Sequence, residues 1–229
     1  MAEPIRIISS MATRQLLTEL LAAFARESSQ PVHLESVGGV DAAKRVQAGE
    51  AFDIVALASD AIDKLIEAGR LAPHSRVDLV RSGVAVAVRS GATRPDIGSG
   101  EAVRQAVLAA RTLGYSTGPS GVQLARQFER WGIADTIKDR IVQAPPGVPV
   151  GRLVAEGQVE LGFQQLSELM NLPGVEVLGP LPDDIQITTT FSAAVSTACT
   201  RPDAARALLG FMAAPAMDAI KRRNGMEPG

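Results

Sequence analysis

The chain has 229 residues, 46% of them hydrophobic, which suffices for one large or two small packed domains. Lys and Arg number 23 against 25 Asp and Glu, with no basic stripe, so the composition excludes a nucleic-acid partner and leaves any anionic ligand to be attracted by local groups. One cysteine excludes an internal disulfide, two histidines with no Cys/His cluster leave no metal ligand set, and no run is apolar enough for membrane insertion.

Ile5 to Ile8 reads as a short buried strand, followed by Ser9-Ser10-Met11-Ala12-Thr13 and a helix to about Glu27 with Leu17, Leu20, Leu21 and Phe24 on one face. Pro31 breaks the chain, Val32 to Glu35 is a second strand, Gly38-Gly39 a turn, and Asp41 to Gln47 a helix. Phe52 to Leu57 is a third strand, and Asp60 to Ala68 a third helix. Val84 to Val88 opens a second series. Its strands fall near Leu113–Tyr115, Ile141–Val142, Leu161–Phe163 and Val175–Leu178, and its helices near Ala102–Ala110, Val122–Trp131 and Val150–Glu156. A β-prone run covers Ile187 to Val195, and two helices near Pro202–Met212 and Pro215–Arg223 close the chain. Strands alternating with helices at this spacing predict an α/β fold with parallel sheets.

Three strand-to-helix junctions share a composition of small and hydroxyl residues: Ser9-Ser10-Met11-Ala12-Thr13, Val37-Gly38-Gly39-Val40-Asp41, and Ser116-Thr117-Gly118-Pro119-Ser120-Gly121. Helix N-termini carry unpaired N–H groups and about half a positive charge, Gly admits a close ligand, and hydroxyls donate further bonds. Such junctions lie at the carboxyl ends of strands, where α/β sheets bind ligands. Ser, Thr, Gly and Asp are also ordinary N-caps, so each junction alone reads either way. Together they point to a small-molecule anion. The rigid turn Pro145-Pro146-Gly147-Val148-Pro149 reads either as a ligand-lining loop or as plain surface. No Walker loop, dinucleotide fingerprint or Gly-x-Ser-x-Gly elbow occurs, so no cofactor is expected. Cys199 lies in an apolar run and reads as a core thiol.

Several segments, in order, resemble the molybdate-binding-protein-like family of ABC-transporter solute-binding proteins. Ile8-Ser9-Ser10-Met11 resembles its Ala-Ala-Ser-Leu start, and Gln47-Ala48-Gly49-Glu50-Ala51-Phe52-Asp53-Ile54-Val55 its Ile-x-x-Gly-Ala-Pro-Ala-Asp-Val-Phe segment. Ser59-Asp60, Pro119-Ser120-Gly121 and Gly157-Gln158-Val159-Glu160-Leu161-Gly162 match a Ser-Ala-Asp, a Pro-Ala-Gly turn and a Gly-Glu-Ala-x-x-Gly repeat. The resemblance implies the type II periplasmic-binding-protein fold, two Rossmann-like α/β domains joined by two hinge strands. The first domain would take 1–80 and 196–229, the second 89–187, with 81–88 and 188–195 as crossings. A ligand would be gripped between the domains by a hinge motion.

The family's site carries over onto Ser10, where its first serine ligand matches, and onto Gly39, where the second serine is missing. Its turn amide falls at Ser120, its next-loop amide at Gly147-Val148, and its tyrosine at Gln165, beside Gln164. Ser9, Met11, Gly38, Val40, Thr117, Pro119 and Gly121 flank these positions. The Gly-Phe-Gln-Gln and Ser-Thr-Gly-Pro-Ser-Gly versions resemble a branch that includes aconitate isomerase, whose ligand is a tricarboxylate. Glutamines and hydroxyls suit planar carboxylate oxygens. Arg14, Lys44 and Arg45 are candidate charges near the first two junctions, against the alternative of solvated helix surface.

Three functions follow from this resemblance: a solute-binding protein for a di- or tricarboxylate, an isomerase moving a proton within an unsaturated tricarboxylate, and a molybdate or tungstate binder. Catalysis would need an acid/base group, for which Tyr115, Asp41, Lys44 and His33 are candidates without compelling spacing. If exported, the partner would be an ABC permease. The location is periplasmic if a leader has been removed ahead of Met1, and cytoplasmic if Met1 is the native start.

Overall fold

The computed structural model describes residues 3–145 and 147–229, so Pro146 of the expected rigid turn lies outside the described residues. It divides into two compact units, one taking the chain up to Ser82 together with Thr190–Gly229, the other Gly83–Thr189.

In the first unit β1 (Ile5–Ser10), α1 (Arg14–Glu27), β2 (Val32–Val37), α2 (Gly39–Gln47), β3 (Ile54–Ala58) and α3 (Ser59–Glu67) follow the alternation expected from sequence. A 3-10 turn, Met11–Thr13, leads into α1. β1 pairs in parallel with β2 and with β3. Buried parallel strands are apolar on both sides, which explains the unbroken Ile7-Ile8 run. Ile5 and Ile7 face Leu16, Leu17 and Leu20 of α1. Ile8 faces the other way, onto Ala42 and Val46 of α2 and Ile62 and Leu65 of α3. Helices therefore cover both faces, and the carboxyl ends of β1, β2 and β3 share one edge.

The strand expected at Val84–Val88 is longer: β4 runs Val77–Arg89 and contains the unit boundary. The second unit continues with α4 (Gly100–Ala109), β5 (Leu113–Ser116), α5 (Pro119–Arg130), α6 (Ala134–Ile137), β6 (Ile141–Ala144) and α7 (Val150–Ala155). Then come β7 (Leu161–Gln165), α8 (Leu166–Leu169) and β8 (Val175–Pro180), while β9 (Thr188–Val195) contains the second unit boundary and pairs antiparallel with β3 of the first unit. β5 pairs in parallel with β6 and β7, and β4 pairs antiparallel with β7 and β8. On one face Leu113 and Tyr115 of β5 and Leu161 and Phe163 of β7 pack against Val103 and Val107 of α4 and Leu124 and Phe128 of α5. On the other face Gly162 lies beneath Val150 and Val154 of α7, where a Cβ would come within 2.5 Å of Val154.

The chain ends in α9 (Pro202–Ala213), α10 (Asp218–Arg223) and β10 (Glu227–Pro228), which pairs with β4 in the first unit. The helix expected over Pro215–Arg223 starts as a 3-10 turn at Pro215–Met217. No helix among the described residues is long and apolar enough to cross a membrane. Cys199 is half-buried against the first unit's core, and burial pushes its thiol up.

Candidate functional site

Each sheet presents its strand-end turns along one edge. In the first unit the register Ser10↔Val37 sets the end of β1 beside the start of α2. A Cβ on Gly39 would lie 3.5 Å from the Cβ of Ser10, which is ordinary contact, so these two positions are neighbours. Ser9 is fully buried. Its hydroxyl bonds the Ser36 hydroxyl at 2.8 Å and the Ser10 carbonyl at 3.2 Å, tying β1 to β2, so this hydroxyl is engaged in the fold. Ser10 has only a long 3.4 Å contact to the Thr13 hydroxyl. Met11, Gly38 and Gly39 are half-buried, and Val40 is exposed.

In the second unit the ends of β5, β6 and β7 carry Ser116, Ala144 and Gln165. The N–H of Gly118 donates to the Ser116 hydroxyl at 3.3 Å, closing the turn before α5. Gly121 is required here, because a Cβ would sit 1.8 Å from the Ser116 carbonyl oxygen. That close approach sets the α5 N-terminus directly on the end of β5. Thr117 and Pro119 are exposed and Ser120 is half-buried.

Where the sequence uses a hydroxyl as a cap, the bond is evident: Ser99 accepts from the Ala102 N–H at 3.1 Å at the start of α4. The turns at Ser10, Gly38 and Gly118 show no side-chain cap bond. Neither the Thr117 nor the Ser120 hydroxyl has a partner among the described residues, and no acidic side chain occupies the first turn of α5.

β7 supplies the glutamines, and pleating sends them to opposite faces. Gln164, on the α7 side, is engaged: its Oε1 accepts the Gly151 N–H at 3.2 Å, in the first turn of α7. Gln165 lies on the face that Phe163 shares with α5, one pleat further toward the strand end. It is only 4% exposed, its Nε2 donates to the Thr189 hydroxyl at 2.9 Å, and its Oε1 is buried with no partner. A buried, unpaired amide oxygen is destabilising unless something completes it. The Val148 N–H, expected as a ligand donor, donates instead to the Pro145 carbonyl at 3.0 Å, while Gly147 is exposed and takes a left-handed φ of 80°.

The candidate charges separate as well. Arg45 is held by Glu35 at 2.5 Å and Glu50 at 2.6 Å and lies over the Phe52 ring, so it belongs to the fold. Its hydrogen bonds to Glu50 and Glu35 raise its affinity for its proton, and the same bonds hold both carboxyls below their ordinary value. Arg14, at the start of α1, and Lys44 are exposed and make no ion pair among the described residues. Of the acid/base candidates, Tyr115 is buried in the core beside Phe128, and desolvation pushes its hydroxyl up. His33 is exposed at the amino end of β2, opposite Arg6 and away from the strand-end turns, while Asp41 is half-buried in the first turn of α2.

A residue that the sequence reading missed stands out. Glu168, in α8 immediately past Gln165, has its carboxyl pushed up to about 7 by desolvation, with a hydrogen bond from Gln164 acting the other way. The signal was faint: a carboxylate close behind two glutamines, in a helix too short for periodicity to register.

The profile of the family described as bacterial extracellular solute-binding protein matches residues 5–227. A Pseudomonas protein named aconitate isomerase is 40% identical over 187 residues, which cover 80% of this chain and 70% of the relative. The periplasmic molybdate-binding protein of Azotobacter vinelandii superposes with a TM-score of 0.80 at 19% identity, covering 97% of this chain and 98% of that one. A sulfate-binding protein of Mycobacterium tuberculosis gives 0.78 at 14% identity, covering 98% and 86%. At these identities the likeness is one of fold, the type II periplasmic-binding-protein architecture.

Proposed function

The chain belongs to the bacterial extracellular solute-binding proteins, and on that footing we propose that it binds a small di- or tricarboxylate at its strand-end turns. The observation that carries this reading is the set of uncommitted donors: Ser10, Thr117 and Ser120 hydroxyls that cap nothing, and the bare N-terminus of α5. An anion completes such groups with little help from charged side chains. On the second unit the candidate residues are Thr117, Gly118, Pro119, Ser120 and Gly121 at the α5 turn and Gln165 at the end of β7. On the first they are Ser10, Met11, Gly38, Gly39 and Val40, and Arg14 and Lys44 make no ion pair among the described residues.

Residue chemistry favours carboxylate over a tetrahedral oxyanion. By the sequence resemblance, Gly39 and Gln165 fall where that family pattern has hydroxyl residues, and a primary amide matches a planar carboxylate. Membership of an extracellular family also supports export, and with it delivery of the ligand to an ABC permease.

A second reading, catalysis, is favoured by the aconitate isomerase relative. On this reading the bound acid is an unsaturated tricarboxylate whose double bond migrates.

A thermal-shift screen tests the first reading, since a ligand that binds only the folded chain raises its melting temperature. Aconitate (propene-1,2,3-tricarboxylate), citrate and dicarboxylates are expected to stabilise the protein, and molybdate, tungstate and sulfate to leave it unchanged. Stabilisation by molybdate alone would overturn the carboxylate reading.

A further inference from the structure

A carboxylate bound at the strand-end turns leaves one half of Gln165 unexplained. The residue is 4% exposed, its Nε2 donates to the Thr189 hydroxyl at 2.9 Å, and its Oε1 meets no donor among the described residues. Its strand neighbours have nothing to give it. Val84, opposite Gln165 on β4, sends its N–H to the Ile187 carbonyl at 3.1 Å and to the Gln186 amide at 3.0 Å. Gln164 faces the other way and is engaged with Gly151. A buried carbonyl oxygen without a donor destabilises a fold, so its retention calls for a group that completes it.

This acceptor lies on the side of the sheet that carries the free donors. Phe163, two residues earlier on the same face, packs edge-on against Phe128 of α5 with ring centres 6.3 Å apart. α5 starts just past the carboxyl end of β5 and runs back over the sheet to Phe128, so its start lies toward the strand ends, the direction in which Gln165 follows Phe163. β5 and β7 are parallel neighbours in the register Gly114↔Gly162. Carried three residues on, that register brings Gln165 level with Thr117, on strands that run about 5 Å apart. The turn offers backbone N–H groups and the Thr117 and Ser120 hydroxyls, while Gln165 offers an acceptor with a second Nε2 hydrogen beside it. A fully ionised carboxylate brings acceptors alone, which suit the turn and leave Oε1 unpaired in this arrangement. A hydroxyl beside a carboxylate answers both.

We propose that the ligand is a hydroxy acid, a di- or tricarboxylate with a hydroxyl on the carbon next to a carboxylate, and that Gln165 selects it by accepting the hydroxyl hydrogen on Oε1. This rests on the reading that the strand-end turns bind a carboxylate. Thr189 is the positioning residue: it holds the Nε2 end of the amide and leaves the Oε1 end to the ligand. A hydroxyl also satisfies the amide when it is reversed, because a hydroxyl oxygen accepts as well as donates. A C–H in the same place satisfies it in neither arrangement. The discrimination is therefore against the acid that lacks the hydroxyl, the direction in which a buried hydrogen-bonding site selects strongly.

Titration calorimetry on the full chain at neutral pH, with acids that differ only by the hydroxyl, tests this: citrate against propane-1,2,3-tricarboxylate, and malate against succinate. Wild type is expected to bind the hydroxylated member of the pair it accepts roughly tenfold or more tighter, and Gln165→Met, which keeps the side-chain length and removes the amide, to bring the two within about twofold. Equal affinity within a pair, or tighter binding of the hydroxyl-free member, overturns the inference and leaves the carboxylate reading standing, with solvent completing Oε1 in place of the ligand. A preference that survives in Gln165→Met also overturns it. Should that variant not fold, Thr189→Val, which frees the amide to turn, is expected to shrink the preference, and an unchanged preference there overturns the inference. No binding of any of these acids overturns the carboxylate reading and this inference together.

Discussion

Two glycines at helix starts should respond in opposite ways to an added side chain. A Cβ at Gly121 would sit 1.8 Å from the Ser116 carbonyl oxygen and 2.9 Å from its carbon, both backbone atoms that cannot swing aside. Contact distances require about 3.5 Å, so in Gly121→Ala the first turn of α5 must lift by well over 1 Å. Forced overpacking of this kind costs about 1–3 kcal/mol, roughly 5–10 °C of melting temperature near the upper end in a chain of this size. Ligand affinity should fall further, because the lifted turn carries the Ser120 hydroxyl and the free N–H groups. At Gly39 the added Cβ meets only the Ser10 Cβ at 3.5 Å, and the backbone φ is not among the left-handed ones. Gly39→Ser should therefore fold with a change within about 1 kcal/mol and place a hydroxyl beside Ser10. Urea melts of the two variants, with and without a tricarboxylate, check both arms. Wild-type stability and affinity in Gly121→Ala would refute the placement of α5 on the end of β5.

Ser120→Ala should weaken anion binding by roughly 1 kcal/mol, about five-fold, by calorimetry; unchanged affinity would remove its hydroxyl from the site. Gln165→Tyr combined with Gly39→Ser should move preference from carboxylates toward molybdate or sulfate in the thermal-shift screen, and unmoved selectivity would dissociate these positions from ligand choice. Glu168 gives a pH signature of stability. Its folded carboxyl titrates near 7 and its ordinary value is 4.5, so its contribution is fully present below about 4.5 and is lost as pH rises through about 7. The span is at most about 3 kcal/mol, and the difference between wild type and Glu168→Gln in urea melts from pH 4 to 8 isolates it from the carboxyls of Glu35, Glu50 and Asp78. Those are held low by their hydrogen bonds and act below that window.

Much of the fold was legible because periodicity and punctuation agree. The helix from Arg14 to Glu27 follows from the Leu spacing and the Pro31 break, and the α/β alternation follows from strands with buried runs on both faces. The missed elements are those with too few residues for a period, α6 and α8, or with pairing that only tertiary structure reveals, β10 and the first half of β4. At the candidate site, composition identified the turns but not which polar groups remain available. Ser9 and Gln164 are as polar as Ser10 and Gln165, yet strand pleating points the first pair at neighbouring backbone and side chains within the fold. Arg45 could not be told from Arg14 in sequence, because Glu35 and Glu50 reach it from β2 and from the turn after α2. Glu168 owes its raised carboxyl to burial in the folded chain, against the hydrogen bond from Gln164, and no linear pattern encodes that.

The Gln165–Thr189 pair has a consequence for what this chain can distinguish. An amide turned by half a revolution swaps a carbonyl for an NH2, and a hydroxyl rotor serves as donor in one arrangement and acceptor in the other. If Gln165 lines the proposed carboxylate site, its free end would meet a protonated ligand oxygen as an acceptor and an ionised one as a donor, at the same place and after two bond rotations. An arginine in that position would fix the sign of its guest. On the proposed reading the pair would make the end of β7 a gauge of shape, indifferent to whether the acid arrives with its proton.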